Sequence, residues 1–196
     1  MSLVDKGFVT VVSGLPRSGT SMMMRMLEKG GLPILTDSIR KADEDNPLGY
    51  YEFEPVKRLD RDASWLPQAC DKAVKIIYIF LYHLPADHRY KVLFIKRSLD
   101  EVVESQKRML RHRQESDRMS DGQLIDSFDR QLQRLDLWLR HKENFTVHYL
   151  NHHDVISDPL TAARQVSAFL CLPLNVEAMV ESVVPSLHRN RFAPVK

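Results

Sequence analysis

Eight consecutive residues, Gly14-Leu15-Pro16-Arg17-Ser18-Gly19-Thr20-Ser21, hold two glycines, one arginine and three hydroxyl side chains. Gly14-x-x-x-x-Gly19 has the spacing of a nucleotide phosphate loop. Glycines let such a loop turn its N–H groups inward, and the following helix adds its positive N-terminal end. An ATP-binding loop continues with Lys and then Ser or Thr. Here Thr20-Ser21 follows Gly19, and Arg17 sits inside the loop instead. Ser21 could supply a hydroxyl to Mg²⁺, but a triphosphate site also needs an Asp at a neighbouring strand end. The apolar run Lys91 to Lys96 ends in Arg97. The loop therefore reads as an anion site built from arginine and backbone donors, with no metal required.

Arg97 stands at a strand end, and Ser105 follows eight residues later. Ser98 and Ser105 are seven apart, so they share one helix face. A long arginine and a hydroxyl on that face could grip one phosphate from two sides. The alternative is that Arg97 pairs with Asp100 or Glu101 and that Ser105 is incidental.

The elements that must carry these residues follow from periodicity. Phe8 to Ser13 is a β-branched run, read as a buried strand. Met22, Met23, Met26 and Leu27 have helical spacing, and the methionines are expected to pack that helix onto a sheet. Gly30-Gly31 ends it. Residues 36–67 lose all pattern, as functional or mobile segments do. Ala73 to Ile79 and Lys91 to Lys96 read as strands, with a shorter one at Pro33-Ile34-Leu35. Ser98 and Glu101 have capping-box spacing. The charged stretch Arg111 to Asp121 reads as a solvated loop, and Leu124 to Leu139 as an amphipathic helix. Phe145 to Leu150 is a further strand. Asp158-Pro159 opens another helix, and Val176 to Val184 forms a last short one. Strands alternating with helices predict a mostly parallel sheet covered on both faces, with ligands at the carboxyl ends of its strands.

A chain of 196 residues fits one such domain, spanning 1–196, and its hydrophobic (43%) and charged (28%) fractions exclude disordered and fibrous classes. Its net charge of +2 argues against a nucleic-acid or membrane surface while leaving room for a basic pocket. Cys70 and Cys171 have no metal or redox spacing and read as two buried thiols in a reducing compartment. The N-terminus has no basic-then-apolar signal pattern, and no apolar run is long enough to span a bilayer. The expected location is cytoplasmic. His148, His152 and His153 cluster near a strand end but supply too few ligands for a metal site.

Pro16 to Ser21 resembles the 5′-phosphosulfate loop of sulfotransferases, Pro-(Lys/Arg)-Ser-Gly-Thr-(Thr/Ser). Arg97 and Ser105 match that family's 3′-phosphate motif at the same separation, with Glu101 where the family often has Asp. Residues 149–191 are also similar to bacterial members at Asp158-Pro159, Phe169-Leu170 and Leu187-x-Arg189-x-Arg191. The resemblance implies a P-loop-type three-layer α/β/α sandwich. It also implies the donor 3′-phosphoadenosine 5′-phosphosulfate (PAPS) and transfer of its sulfuryl group to a hydroxyl or amine of a small-molecule or carbohydrate acceptor. On this reading Pro16, Arg17, Ser18, Gly19, Thr20 and Ser21 hold the 5′ end of the donor, and Arg97 and Ser105 its 3′-phosphate.

The acceptor must lose a proton, so a carboxylate or His should face the sulfur. Tyrosyl-protein members of the family carry a Glu at about the distance where Asp37 follows Arg17. Asp37 is therefore the first expected base and Glu52 the second, and Lys75 could reach a bridging oxygen. Residues 36–67 and 111–121 are the expected acceptor-binding segments. A small-molecule kinase, or a nucleotide-binding protein without activity on the same fold, stands as the alternative.

Overall fold

The computed structural model describes residues 7–37, 39–112, 114 and 119–187. The order of elements is β1 (Val9–Gly14), α1 (Thr20–Lys29), β2 (Ile34–Leu35), β3 (Ala73–Lys75), β4 (Tyr90–Lys96), α2 (Leu99–His112), α3 (Asp121–Arg140), β5 (Phe145–Asn151), α4 (His152–Ser157), α5 (Pro159–Leu170) and α6 (Val176–Glu181). The five strands are all parallel in the order β2-β3-β1-β4-β5. The predicted parallel α/β sandwich is the observed architecture.

Both faces of the sheet are buried, and the alternation along its strands divides the core in two. Val9, Val11, Val92 and Phe94 face α2, α3 and the irregular segment after β2. Val12, Leu93 and Ile95 face α1, α5 and α6, where Met23, Met26 and Leu27 pack as the helical spacing predicts, joined by Met24, while Met22 is only partly buried against them. Among the described residues, no helix is long and apolar enough to cross a membrane.

Several boundaries differ from the sequence reading. The strand expected over Ala73 to Ile79 ends at Lys75, and Tyr78–His83 turns into a 3₁₀ helix. Its outer partner β2 is only two residues long, so beyond it the strand has support on one side alone, from β1. The stretch from Arg111 is not all loop: α2 runs through His112. Ser120 and Gln123 form a reciprocal capping box that opens α3. Glu101, assigned to a capping box by spacing, accepts from Arg97 through Oε2. Asp158 does accept from the Thr161 N–H, with Pro159 in the first turn. Cys70 is half-buried and Cys171 exposed, so the expectation of two buried thiols does not hold. The spacing Arg189-x-Arg191 lies outside the described residues.

Candidate functional site

A cavity of about 420 Å³ opens at the carboxyl edge of the sheet. Four strand ends feed it: the loop after β1, Lys75 as the last residue of β3, Arg97 just past β4 and His152 just past β5. Seven of its lining residues are cationic (Arg17, Arg25, Arg40, Lys57, Lys75, Arg97 and Arg108), against the two anions Asp45 and Glu52. A chain almost neutral overall thus concentrates its positive charge at one place, as an anion site requires.

The loop owes its shape to backbone that most residues avoid. Gly14 (φ 151°), Arg17 (φ 70°) and Gly19 (φ 103°) all have positive φ. A Cβ on Gly14 would lie 2.5 Å from Ser18 Oγ and 2.6 Å from the Ile95 carbonyl. A Cβ on Gly19 would strike the His152 ring. Pro16, Arg17, Gly19, Thr20 and Ser21 line the cavity, whereas Ser18 is buried beneath the loop against Gly14.

Arg17 reaches across the cavity. Its Nε donates to Ser105 Oγ at 3.0 Å and its Nη2 to the Asp45 carbonyl at 3.1 Å. Burial holds its guanidinium below the usual arginine range. Arg97 donates from Nε to Glu101 Oε2 at 2.7 Å and from Nη1 to the Arg17 carbonyl at 2.9 Å. The pairing with Glu101 is therefore realised, and Arg97 also lines the cavity beside the loop. Ser105 is buried, and its hydroxyl meets Arg17.

Lys75 is not solvated, as a lysine at a strand end usually is. Only 8% exposed, it donates to the Tyr50 carbonyl, with Ser21 Oγ at 3.4 Å and Glu52 Oε1 at 3.9 Å. β3 thus brings a cation to within 3.4 Å of Ser21 Oγ, beside the loop that lacks a lysine after Gly19. Burial pulls the Lys75 ammonium down to about 8, against the opposing pull of Glu52, and Arg40 and Arg17 lower it further. The unfolded chain keeps its proton up to the ordinary lysine value of 10.5, so between pH 8 and 10.5 it binds more protons than the folded one. Stability relative to Lys75→Met should therefore rise by roughly 3 kcal/mol across that window, as urea unfolding at pH 7.5 to 10.5 will measure.

The two expected bases separate. Asp37 does not line the cavity. Its Oδ1 accepts from the Ile39 N–H at 2.9 Å and its Oδ2 from the Glu54 N–H at 2.5 Å, so the carboxylate closes local turns. Glu52 does line the cavity, with Oε1 2.7 Å from Arg40 Nη1. Residues 36–67 contribute much of the wall, including Phe53 and Val56. None of the described residues in 111–121 does so; Arg108 and Met109 of α2 take that place.

Arg40 and Asn46 lie within the expected acceptor-binding segment 36–67, whereas sequence reasoning missed Met22 and His152 as cavity residues. Met23, Met24 and Met26 are fully buried, whereas Met22, expected in the core, packs against it only in part and also lines the cavity. The histidine cluster disperses: His148 stacks on Phe169 at 5.2 Å, His152 backs Gly19, and His153 meets Asp154.

No protein-family model and no curated protein matches the chain in sequence. Solved structures match it in shape. The sulfotransferase domain of the Synechococcus PCC 7002 olefin synthase aligns over 98% of this chain and 92% of its own, with a TM-score of 0.59 at 15% identity. Sulfotransferase STF1 from Mycobacterium tuberculosis H37Rv aligns over 92% and 72%, with a TM-score of 0.56 at 17% identity. Mouse sulfotransferase SULT7A1, solved in complex with PAP, aligns over 96% and 67%, with a TM-score of 0.51 at 14% identity. At such identities the likeness shows the fold: the chain has the architecture of the sulfotransferases.

Proposed function

We propose that this chain of sulfotransferase fold transfers a sulfuryl group from PAPS to a hydroxyl or amine of a small-molecule or carbohydrate acceptor. The observation that carries the reading is the convergence of Arg17, Lys75, Arg97 and Ser105 on one cavity with the Gly14–Ser21 loop and a single lining glutamate, Glu52. A loop of this shape offers backbone donors to the 5′-phosphosulfate. Arg97 and Ser105 would hold the 3′-phosphate, a group ATP lacks.

The chemistry asked of the residues is modest. The acceptor oxygen or nitrogen forms a bond to sulfur as the bond from sulfur to the 5′-phosphate oxygen breaks. The acceptor's proton goes to Glu52, and adenosine 3′,5′-bisphosphate (PAP) leaves. Negative charge develops on the leaving oxygen, where Arg17 and Lys75 would offset it. Glu52 is preferred over Asp37 because it faces the cavity, whereas both oxygens of Asp37 hold backbone N–H groups. Phe53, Val56, Ile77 and Phe80 form an apolar wall beside Glu52 and Lys75 for the body of the acceptor.

Calorimetry with PAP in EDTA, set against ATP with Mg²⁺, tests the reading. PAP should bind in the micromolar range and at least about tenfold more tightly than Mg·ATP, a difference of about 1.4 kcal/mol. Equal binding of Mg·ATP would turn the assignment toward a kinase. Tight PAP binding without transfer of ³⁵S from labelled PAPS to any member of a hydroxyl and amine panel would leave a nucleotide-binding protein.

A further inference from the structure

We infer that Arg40 is a positioning residue: it holds one oxygen of Glu52 so that the other is presented to the acceptor. The inference rests on the proton-accepting role proposed for Glu52. Arg40 Nη1 lies 2.7 Å from Glu52 Oε1, and Lys75 Nζ lies 3.9 Å from the same oxygen. Both nearby cations therefore gather on Oε1. Among the described residues, no hydrogen bond engages Oε2.

Arg40 is itself held in orientation. Its guanidinium carbon stands 3.3 Å from the centroid of the Tyr50 ring, a stacked cation–π contact. That ring is fixed at both ends. Its hydroxyl donates to Asp43, with Oδ1 at 2.7 Å and Oδ2 at 2.8 Å, and the Tyr50 carbonyl accepts from Lys75 and Ser21. Tyr50 is buried, so the plane of the guanidinium is set by a rigid surface. Arginine suits this place because it is flat and forked, where lysine is a point charge.

The pair contributes little to the fold. The side chains of Arg40 and Glu52 are 33% and 22% exposed, and solvent-screened pairs of this kind add little to stability. The charged groups around Glu52 are Arg40 on its own segment and Lys75 from β3, with Arg17 of the loop and Lys57 lining the same cavity.

Turnover of PAPS to PAP and sulfate, with water as the acceptor, measures the effect without knowledge of the natural acceptor. The variants are Arg40→Gln, Arg40→Lys, Glu52→Gln and the double variant Arg40→Gln/Glu52→Gln, each also titrated with PAP. Arg40→Gln should lower kcat by about tenfold while PAP affinity stays within about threefold, and Arg40→Lys should fall between it and the parent. In the Glu52→Gln background the same change should cost less than about twofold, because its effect passes through Glu52. An equal loss in both backgrounds overturns the inference, as does a loss of PAP affinity matching the loss of turnover. A parent rate no higher than that of Glu52→Gln removes the proton-accepting role and the inference with it. PAP binding in the parent separates these failures from a failure of the donor assignment.

Discussion

Replacing Arg97 with alanine should weaken PAP binding by on the order of 10³-fold, the loss expected when a charge-assisted phosphate contact is removed and a buried anion is left behind. Two effects add. The first is loss of the guanidinium that would grip the 3′-phosphate and that holds the loop through the Arg17 carbonyl. The second comes from Glu101, whose side chain is only 11% exposed beside Arg97. Without Arg97 that carboxylate loses its 2.7 Å cation partner and stands next to the proposed 3′-phosphate position. Breaking a pair this buried costs about 3 kcal/mol or more of fold stability, so the single variant will also melt early. The double variant Arg97→Ala/Glu101→Ala removes that carboxylate as well. It should recover most of the melting temperature and little of the affinity. Recovery of both would mean that Arg97 serves the fold and not the ligand.

The second large effect belongs to Gly19→Ala. Gly19 and Gly31 share a similar backbone conformation, with φ of 103° and 93°, but a Cβ at Gly31 meets nothing within 4 Å while one at Gly19 runs into His152. Gly31→Ala should carry the conformational strain alone, about 1 kcal/mol, and leave PAP binding intact. Gly19→Ala adds the overlap and should destabilise by about 3 kcal/mol, lowering the melting temperature by roughly 8 °C. It should also weaken PAP binding strongly, because a loop that moves away from α4 to relieve the overlap displaces its N–H groups; a shift of the His152 ring is the competing outcome. Equal melting temperatures for the two variants would show that His152 yields.

How much of this was readable from the sequence depends on distance along the chain. The loop, the helix after it and the arginine at the end of β4 are local patterns, and the periodicities of 2 and 3.6 that reveal them are set within a few residues. The face shared by Ser98 and Ser105 is likewise a property of one helix. The partners of these groups were not readable. Lys75 was legible as a lysine that could reach the site; that Tyr50, twenty-five residues earlier, closes over it was not. Asp37 and Glu52 are both plausible carboxylates by composition. Only the backbone path of residues 36–54, which has no repeat, turns one onto N–H groups and the other into the cavity. Met22 differs from Met23 and Met24 by a rotation of 100° per residue, but which side is core depends on where the sheet lies. The one-turn helix α4 is too short to leave a periodic trace.

The turn from Asp43 to Tyr50 gives the site a kinetic character. Arg17 holds the Asp45 carbonyl, Lys75 holds the Tyr50 carbonyl, and Ser21 donates to Tyr50 while accepting from Asn46. Two cations of the cavity, Arg17 and Lys75, are thus already solvated by carbonyl oxygens of this turn. On the proposed function, arrival of the donor would be a ligand exchange at these two groups, oxygen for oxygen, and its affinity the difference between two coordination shells. The turn is also tethered from the far side, where His112 of α2 lies 3.0 Å from the Asp45 carboxylate. Association should accordingly be slower than charge attraction alone dictates, at a rate set by how often this small oxygen cage opens.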